Sequence, residues 1–160
     1  MSSKKIRRWQ ELKVKEAVKT RRVVLLEGAR QCGKTTLAKH MALKDTIYLT
    51  LDDIALLAAA MEDPKGFVQH GNQLMIIDEV QRVPLLLLAI KQDVDENKNW
   101  GRFLLTGSAN IHTLSTAKES LAGRIRKIRL RPFAMGELAK KPPNFIADAF
   151  KGIFKTINTE

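Results

Sequence analysis

A glycine-rich run directly behind an apolar segment constrains what this chain can fold into. Val23, Val24, Leu25 and Leu26 form a continuous apolar stretch, and Gly28-Ala29-Arg30-Gln31-Cys32-Gly33-Lys34-Thr35 follows it and fits G-x-x-x-x-G-K-[ST]. A loop needing only flexibility has no use for the lysine. In a loop of this type the backbone N–H groups between the glycines point inward and cradle phosphates, and the helix behind it adds its positive N-terminal end. Lys34 then carries a point charge to the β- and γ-phosphates, and the Thr35 hydroxyl becomes a Mg²⁺ ligand. The other reading is a glycine turn with an incidental lysine.

The flanking sequence supplies the required context. Residues 23–27 read as a strand buried on both faces of a parallel sheet. Residues 34–43 carry helical spacing in Leu37, Met41 and the alanines. Further strands are expected at 46–51, 73–78, 102–107 and 125–133. Helices are expected over residues 4–20 (Ile6, Trp9, Leu12, Ala17 and Val18 inward), 54–62 behind an Asp52 or Asp53 cap, from Pro84 to about Glu96, and at Ala109–Leu121. This alternation predicts an α/β fold, a three-layer core with a mainly parallel five-stranded sheet flanked by helices. Past Pro132 the pattern changes: residues 140–145 break the chain, and 146–157 read as a modest amphipathic helix.

The apolar stretch at 74–77, within the strand expected at 73–78, leads into Asp78 and Glu79. A carboxylate at the C-terminal edge of an open α/β sheet stands where such folds bind ligands, so Asp78 reads as the Walker B aspartate and a second Mg²⁺ ligand. Glu79 reads as the base that polarises an attacking water, against the plainer reading of a surface ion pair. Arg124 follows Gly123 and an expected helix, which makes it the candidate for a charge that stabilises a phosphoryl transition state, in cis or from a neighbouring copy. Arg126, Arg129 and Arg131 alternate along a strand and read as one solvated or partner-facing stripe. Residues 97–100, Asn-Lys-Asn-Trp, lack the N-K-x-D signature of a guanine site, which favours ATP over GTP.

Taken in order, GARQCGKTTL, IIDEVQRVP, GRFLLTGSAN and ESLAGR resemble the prokaryotic AAA-domain ATPases that carry GxRQxGKT, DEVQ, LTGS and SLAGR motifs, over residues 8–138. The resemblance implies a P-loop ATPase domain over 1–138 with an extra strand between the Walker A and Walker B strands, the fourth strand lying central. It implies an ATP and Mg²⁺ site along Gly28, Ala29, Arg30, Gln31, Cys32, Gly33, Lys34, Thr35 and Thr36. Arg30 and Gln31 contact phosphate or brace the loop. Asp78 completes the metal set, and Thr106 and Ser108 become sensor residues beside the γ-phosphate, unless they only form a strand-end turn at Gly107. Cys32 stands where the family has a small aliphatic or hydroxyl residue and reads as filler. Members continue into a substantial C-terminal domain, in whose place residues 139–160 read as a short tail.

Composition narrows the remaining classes. A chain of 160 residues with 44% hydrophobic and 28% charged residues is globular. Its longest apolar run, at 54–61, is far below the roughly 18 residues a membrane helix needs. The single cysteine and the absence of a signal sequence fit a cytoplasmic location. The net charge of +11 is unevenly spread: residues 1–22 hold nine Lys/Arg against two acids, and 112–131 hold six against one. Such flanks suit nucleic acid, or they are solvated faces, since neither interleaves several aromatics. The expected activity is Mg²⁺-dependent ATP hydrolysis, with a homo-oligomer if Arg124 acts in trans. The alternative is a switch that holds nucleotide without turnover and works through a protein or nucleic-acid partner.

Overall fold

The computed structural model describes residues 6–42, 44–108, 121 and 123–142. In its larger unit, Gln10–Pro132, helix α1 (Gln10–Thr20) leads to β1 (Val23–Gly28), α2 (Lys34–Met41) and β2 (Ile47–Thr50). Helices α3 (Ile54–Glu62) and α4 (Pro64–Phe67), β3 (Met75–Asp78), a 3₁₀ turn at Val80–Arg82, α5 (Leu86–Glu96), β4 (Phe103–Ser108) and β5 (Ile125–Arg129) follow. The strands form one sheet in the order β2-β3-β4-β1-β5, with every pairing parallel. The fourth strand is therefore central and separates β1 from β3, as the family resemblance implied.

Strand periodicity builds the three layers. Side chains alternate across a strand, so a continuous apolar run serves both faces of a sheet. Val23, Leu25, Met75, Ile77, Phe103 and Leu105 point to one side, where Leu86, Leu87, Ile90 and Val94 of α5 and Ala60 of α3 cover them. Val24, Leu26, Ile76 and Leu104 point to the other and meet Val14 and Ala17 of α1 and Leu37, Ala38 and Met41 of α2.

Several boundaries differ from expectation. α1 starts at Gln10 rather than at residue 4, and its buried face is Glu11, Val14 and Ala17, with Leu12 exposed. Pro84 and Leu85 form a turn ahead of α5, whose Leu88 stays exposed, as Leu85 does. Directly behind α3, Pro64 opens α4, because the Asp63 side chain accepts from Gly66 N and caps the new turn. Asp53, not Asp52, caps α3. β5 stops at Arg129 although Leu130 N still donates to Glu27 O at 2.7 Å; Pro132 has no N–H to continue the ladder. The helices expected at 109–121 and 146–157 lie outside the described residues. No described helix is long and apolar enough to cross a membrane.

A smaller unit draws on Met1–Trp9 and Phe133–Glu160. Here Arg8 and Trp9 leave the expected helix to serve another turn: Arg8 Nε and Trp9 N donate to Glu137 Oε1 at 3.1 and 2.7 Å, while Ala134 N donates to Oε2 at 2.9 Å. The Arg8 guanidinium also lies 4.3 Å from the Phe133 ring centre. Burial alone would raise the Glu137 carboxyl, but these donors outweigh it and hold it below its ordinary range.

Candidate nucleotide site

The loop between β1 and α2 is shaped by its two glycines. A Cβ at Gly28 would stand 2.2 Å from the Leu130 carbonyl oxygen and 2.8 Å from Cys32 Sγ, so only glycine lets the strand pass under β5's exit. Gly33 turns into α2 with φ 93°, left-handed backbone that a side chain strains. Gln31 takes the same region at φ 63° without that relief. Ala29, Arg30 and Gln31 are exposed, Cys32 is buried in the core beneath the loop, Thr35 is half-buried and Thr36 exposed on the first turn of α2.

Lys34 is the centre of this loop. It is only 5% exposed, and its Nζ donates to Gly28 O at 3.1 Å and Ala29 O at 2.9 Å. No carboxylate comes within ion-pair distance of it among the described residues. A buried ammonium held only by neutral carbonyls is electrically incomplete, which suits an anionic ligand.

Asp78 presents the opposite case at the end of β3. It is 1% exposed and accepts from Tyr48 Oη at 3.0 Å and from the Thr106 hydroxyl. Both partners are neutral, so this carboxylate too has its hydrogen bonds made and, among the described residues, no cation within ion-pair distance, the donor chemistry a hard divalent ion takes. Burial first, then the Asp78 charge and hydrogen bond, push the Tyr48 hydroxyl well above its ordinary value. The residues therefore fit a magnesium nucleotide: Lys34 for phosphate, Thr35 and Asp78 for the metal.

Parallel pairing of β3 and β4, with Ile77 opposite Leu105, delivers Thr106 to Asp78. Its hydroxyl donates to Asp78 and accepts from Glu79 N at 3.0 Å, tying the two acids to the central strand. Glu79 has φ 60°, which swings its half-buried side chain off the strand axis, and its carboxylate accepts from Gln81 Nε2. Gln81 Oε1 in turn accepts from Ser108 N at 3.3 Å. Lys34, Thr35, Asp78, Glu79, Thr106 and Ser108 thus all stand at the C-terminal edge of the sheet.

Arg124 does not join them. It precedes β5, whose first residue Ile125 pairs with Val23 at the opposite edge from the loop, and its Nε lies 2.5 Å from Asp95 Oδ1. Sequence reasoning missed Tyr48 and Gln81. Tyr48 was findable, because a tyrosine within an apolar strand needs a partner for its hydroxyl. Gln81 carried no signal beyond its place in the DEVQ motif.

Comparison with known proteins agrees with this geometry. The AAA domain family matches residues 20–139. The uncharacterized proteins Mb2031c of Mycobacterium bovis and Rv2008c of Mycobacterium tuberculosis are each 32% identical over 153 residues, covering 88% of this chain and 34% of theirs. The chain thus spans about a third of these relatives' length. Among solved structures, a DNA replication initiation factor superposes with TM-score 0.59 at 15% identity, over 94% of this chain and 53% of that one. A DNA polymerase III gamma subunit-related protein of Thermotoga maritima gives 0.52 at 12%, over 82% and 48%. At such identities the likeness is one of fold. With the family match covering its sheet, its loop and both acids, the chain belongs to the AAA-domain family and has the fold of its P-loop ATPases.

Proposed function

We propose that the chain binds ATP with Mg²⁺ at the Gly28–Thr35 loop and hydrolyses it with Glu79 as the base. The observation that carries this reading is the pair of buried charges, Lys34 and Asp78, at one edge of the sheet, neither with an ionic partner among the described residues. Lys34 and the loop N–H groups bind and orient the phosphates; Thr35 and Asp78 hold the ion. Bound there, Mg²⁺ neutralises charge that develops on the phosphoryl oxygens. Glu79 accepts the proton of the attacking water, and Thr106 keeps its backbone in register with Asp78. The placement of Arg124 at the far edge supports a role at a neighbouring copy's site rather than its own, hence a homo-oligomer. ATP handling is the role assigned to this third of the relatives' length.

One contact favours a second reading, a switch that holds ATP without turnover: the Gln81 amide donates to the Glu79 carboxylate and competes with any water for it. Titration of a fluorescent ATP analogue with and without Mg²⁺, alongside phosphate release, separates the two. Mg²⁺-dependent binding with release supports the ATPase, binding without release supports the switch, and no binding overturns both.

A further inference from the structure

The two basic flanks are about a hundred residues apart in sequence, yet the fold brings them to one face. Because β5 pairs in parallel with β1, the segment before β5 and the end of α1 meet at the N-terminal edge of the sheet. A groove of about 580 Å³ runs between α1 and β5, with Lys13, Arg21, Arg126, Lys127 and Arg129 on its walls and Glu16 its one acid. All five cations are exposed. Arg129 approaches Glu27 at 3.5 Å, while Lys13, Arg21, Arg126 and Lys127 have no carboxylate at ion-pair distance among the described residues. Some cations elsewhere are matched, Lys15 by Glu11, Arg82 by Asp52 and Arg102 by Asp93, and Lys44 and Lys65, unmatched among the described residues, do not line this groove.

Arg21 also lines a second depression of about 330 Å³, together with Arg22, Trp100, Gly123 and Arg124. Trp100 is 58% exposed, with the Arg22 guanidinium 5.8 Å from its ring centre. It reaches this place because the β4 approach is stitched to the β1 approach: Gly101 N donates to Arg21 O and Phe103 N to Arg22 O, each at 2.9 Å. The exposed aromatic beside these cations is therefore supplied by a third segment, since Trp9 of the first flank is engaged by Glu137 and Lys141. Arg124, engaged by Asp95, is not needed.

We infer that the α1–β5 groove and the adjoining Trp100 form a binding face for single-stranded nucleic acid, the cations following the phosphodiester backbone and Trp100 stacking on a base. Unmatched cations along a groove supply the sequence-independent, salt-sensitive attraction, and an exposed indole beside them supplies a sequence-tolerant platform. A β-strand rises about 3.3 Å per residue, so the five residues of β5 run about 16 Å, room for a few nucleotides. Duplex would use the cations but not the ring. The inference is independent of ATP turnover, since the loop and both acids stand at the other edge.

Fluorescence anisotropy with a labelled oligo-dT strand and a duplex of equal length, at rising salt, tests it on the whole chain. The parent binds the single strand more tightly, with an affinity that falls with salt by roughly 0.7 in the log–log slope per phosphate engaged. Arg126→Glu with Lys127→Glu weakens binding at least 10-fold and flattens the slope. Trp100→Ala weakens the single strand about 10-fold, leaving slope and duplex affinity unchanged. Lys44→Glu with Lys65→Glu, an equal charge change on exposed lysines elsewhere, leaves binding intact. All the altered side chains are exposed, and unchanged thermal unfolding verifies folding. The inference is overturned by absent binding at low salt, by equal loss in the Lys44/Lys65 pair, by indifference to Trp100, or by a polyglutamate peptide competing as well as the oligonucleotide, which would mark the face as one for an acidic protein.

Discussion

Lys34 and Asp78 are the residues where the site's electrostatics are concentrated, and each makes a separate prediction. Lys34→Ala removes charge-assisted contacts worth about 3 kcal/mol together, so affinity for a fluorescent ATP analogue falls on the order of 10²-fold. Asp78→Asn weakens binding only in its Mg²⁺-dependent part. Glu79→Gln keeps affinity and slows phosphate release about 10²-fold or more, the scale of a positioned base; identical behaviour of the two acid variants would undo this division of labour. Tyr48, the chain's one tyrosine, reports on the same cluster. Its folded value lies above the ordinary 10.0, so its share of stability is whole below pH 10.0 and is lost as the pH climbs beyond it. Alkaline denaturation followed by phenolate absorbance should show ionisation arriving with unfolding, and Tyr48→Phe should flatten the decline. Lys34, Thr35 and Asp78 were legible because their chemistry needs a particular spacing after a strand. Gln81 was not, because its contacts with Glu79 and Ser108 depend on how a turn folds back on the next strand.

Elements were legible where both faces are buried and obscure where a terminus has another use. The runs that became β1, β3 and β4 announced themselves as continuous apolar stretches, and the strand-loop-helix order around Gly28–Thr35 left little freedom. The start of α1 could not be read the same way. Residues 6–9 continue its periodicity, but Arg8 and Trp9 satisfy Glu137, a partner 128 positions away from Trp9. Replacing Glu137 with alanine removes the carboxylate that Arg8, Trp9 and Ala134 share and should cost about 3 kcal/mol, measured by urea denaturation with tryptophan fluorescence. Because Glu137 sits below its ordinary 4.5 when folded, its contribution is present above that pH and fades as acid carries the solution below it. Parent and Glu137→Ala should therefore converge in stability toward acid and diverge at neutrality.

At the scale of the molecule, the sheet order decides what the parts can do together. Placing β4 between β1 and β3 brings Thr106 against Asp78, and placing β5 beyond β1 sends Arg124 away from its own loop. If Arg124 serves a neighbouring copy, hydrolysis per chain rises with protein concentration, and inactive Arg124→Ala mixed with inactive Glu79→Gln regains activity through hybrid interfaces. No rescue and concentration-independent turnover would confine the arginine to its ion pair with Asp95. The charge asymmetry of the flanks was plain in the sequence; their convergence was not, since it follows from a pairing between strands a hundred residues apart. The left-handed backbone at Glu79 carries one more consequence, for how such a protein ages under mutation. Glutamate at φ 60° costs on the order of 1 kcal/mol that glycine or asparagine would not incur. Losing the base is thus a downhill step for the fold: Glu79→Asn should abolish turnover while raising the melting temperature by about 3 °C. Calorimetry on the two proteins would reveal it, and a lineage relieved of the need to hydrolyse would drift toward a sturdier, silent form without passing through a less stable intermediate.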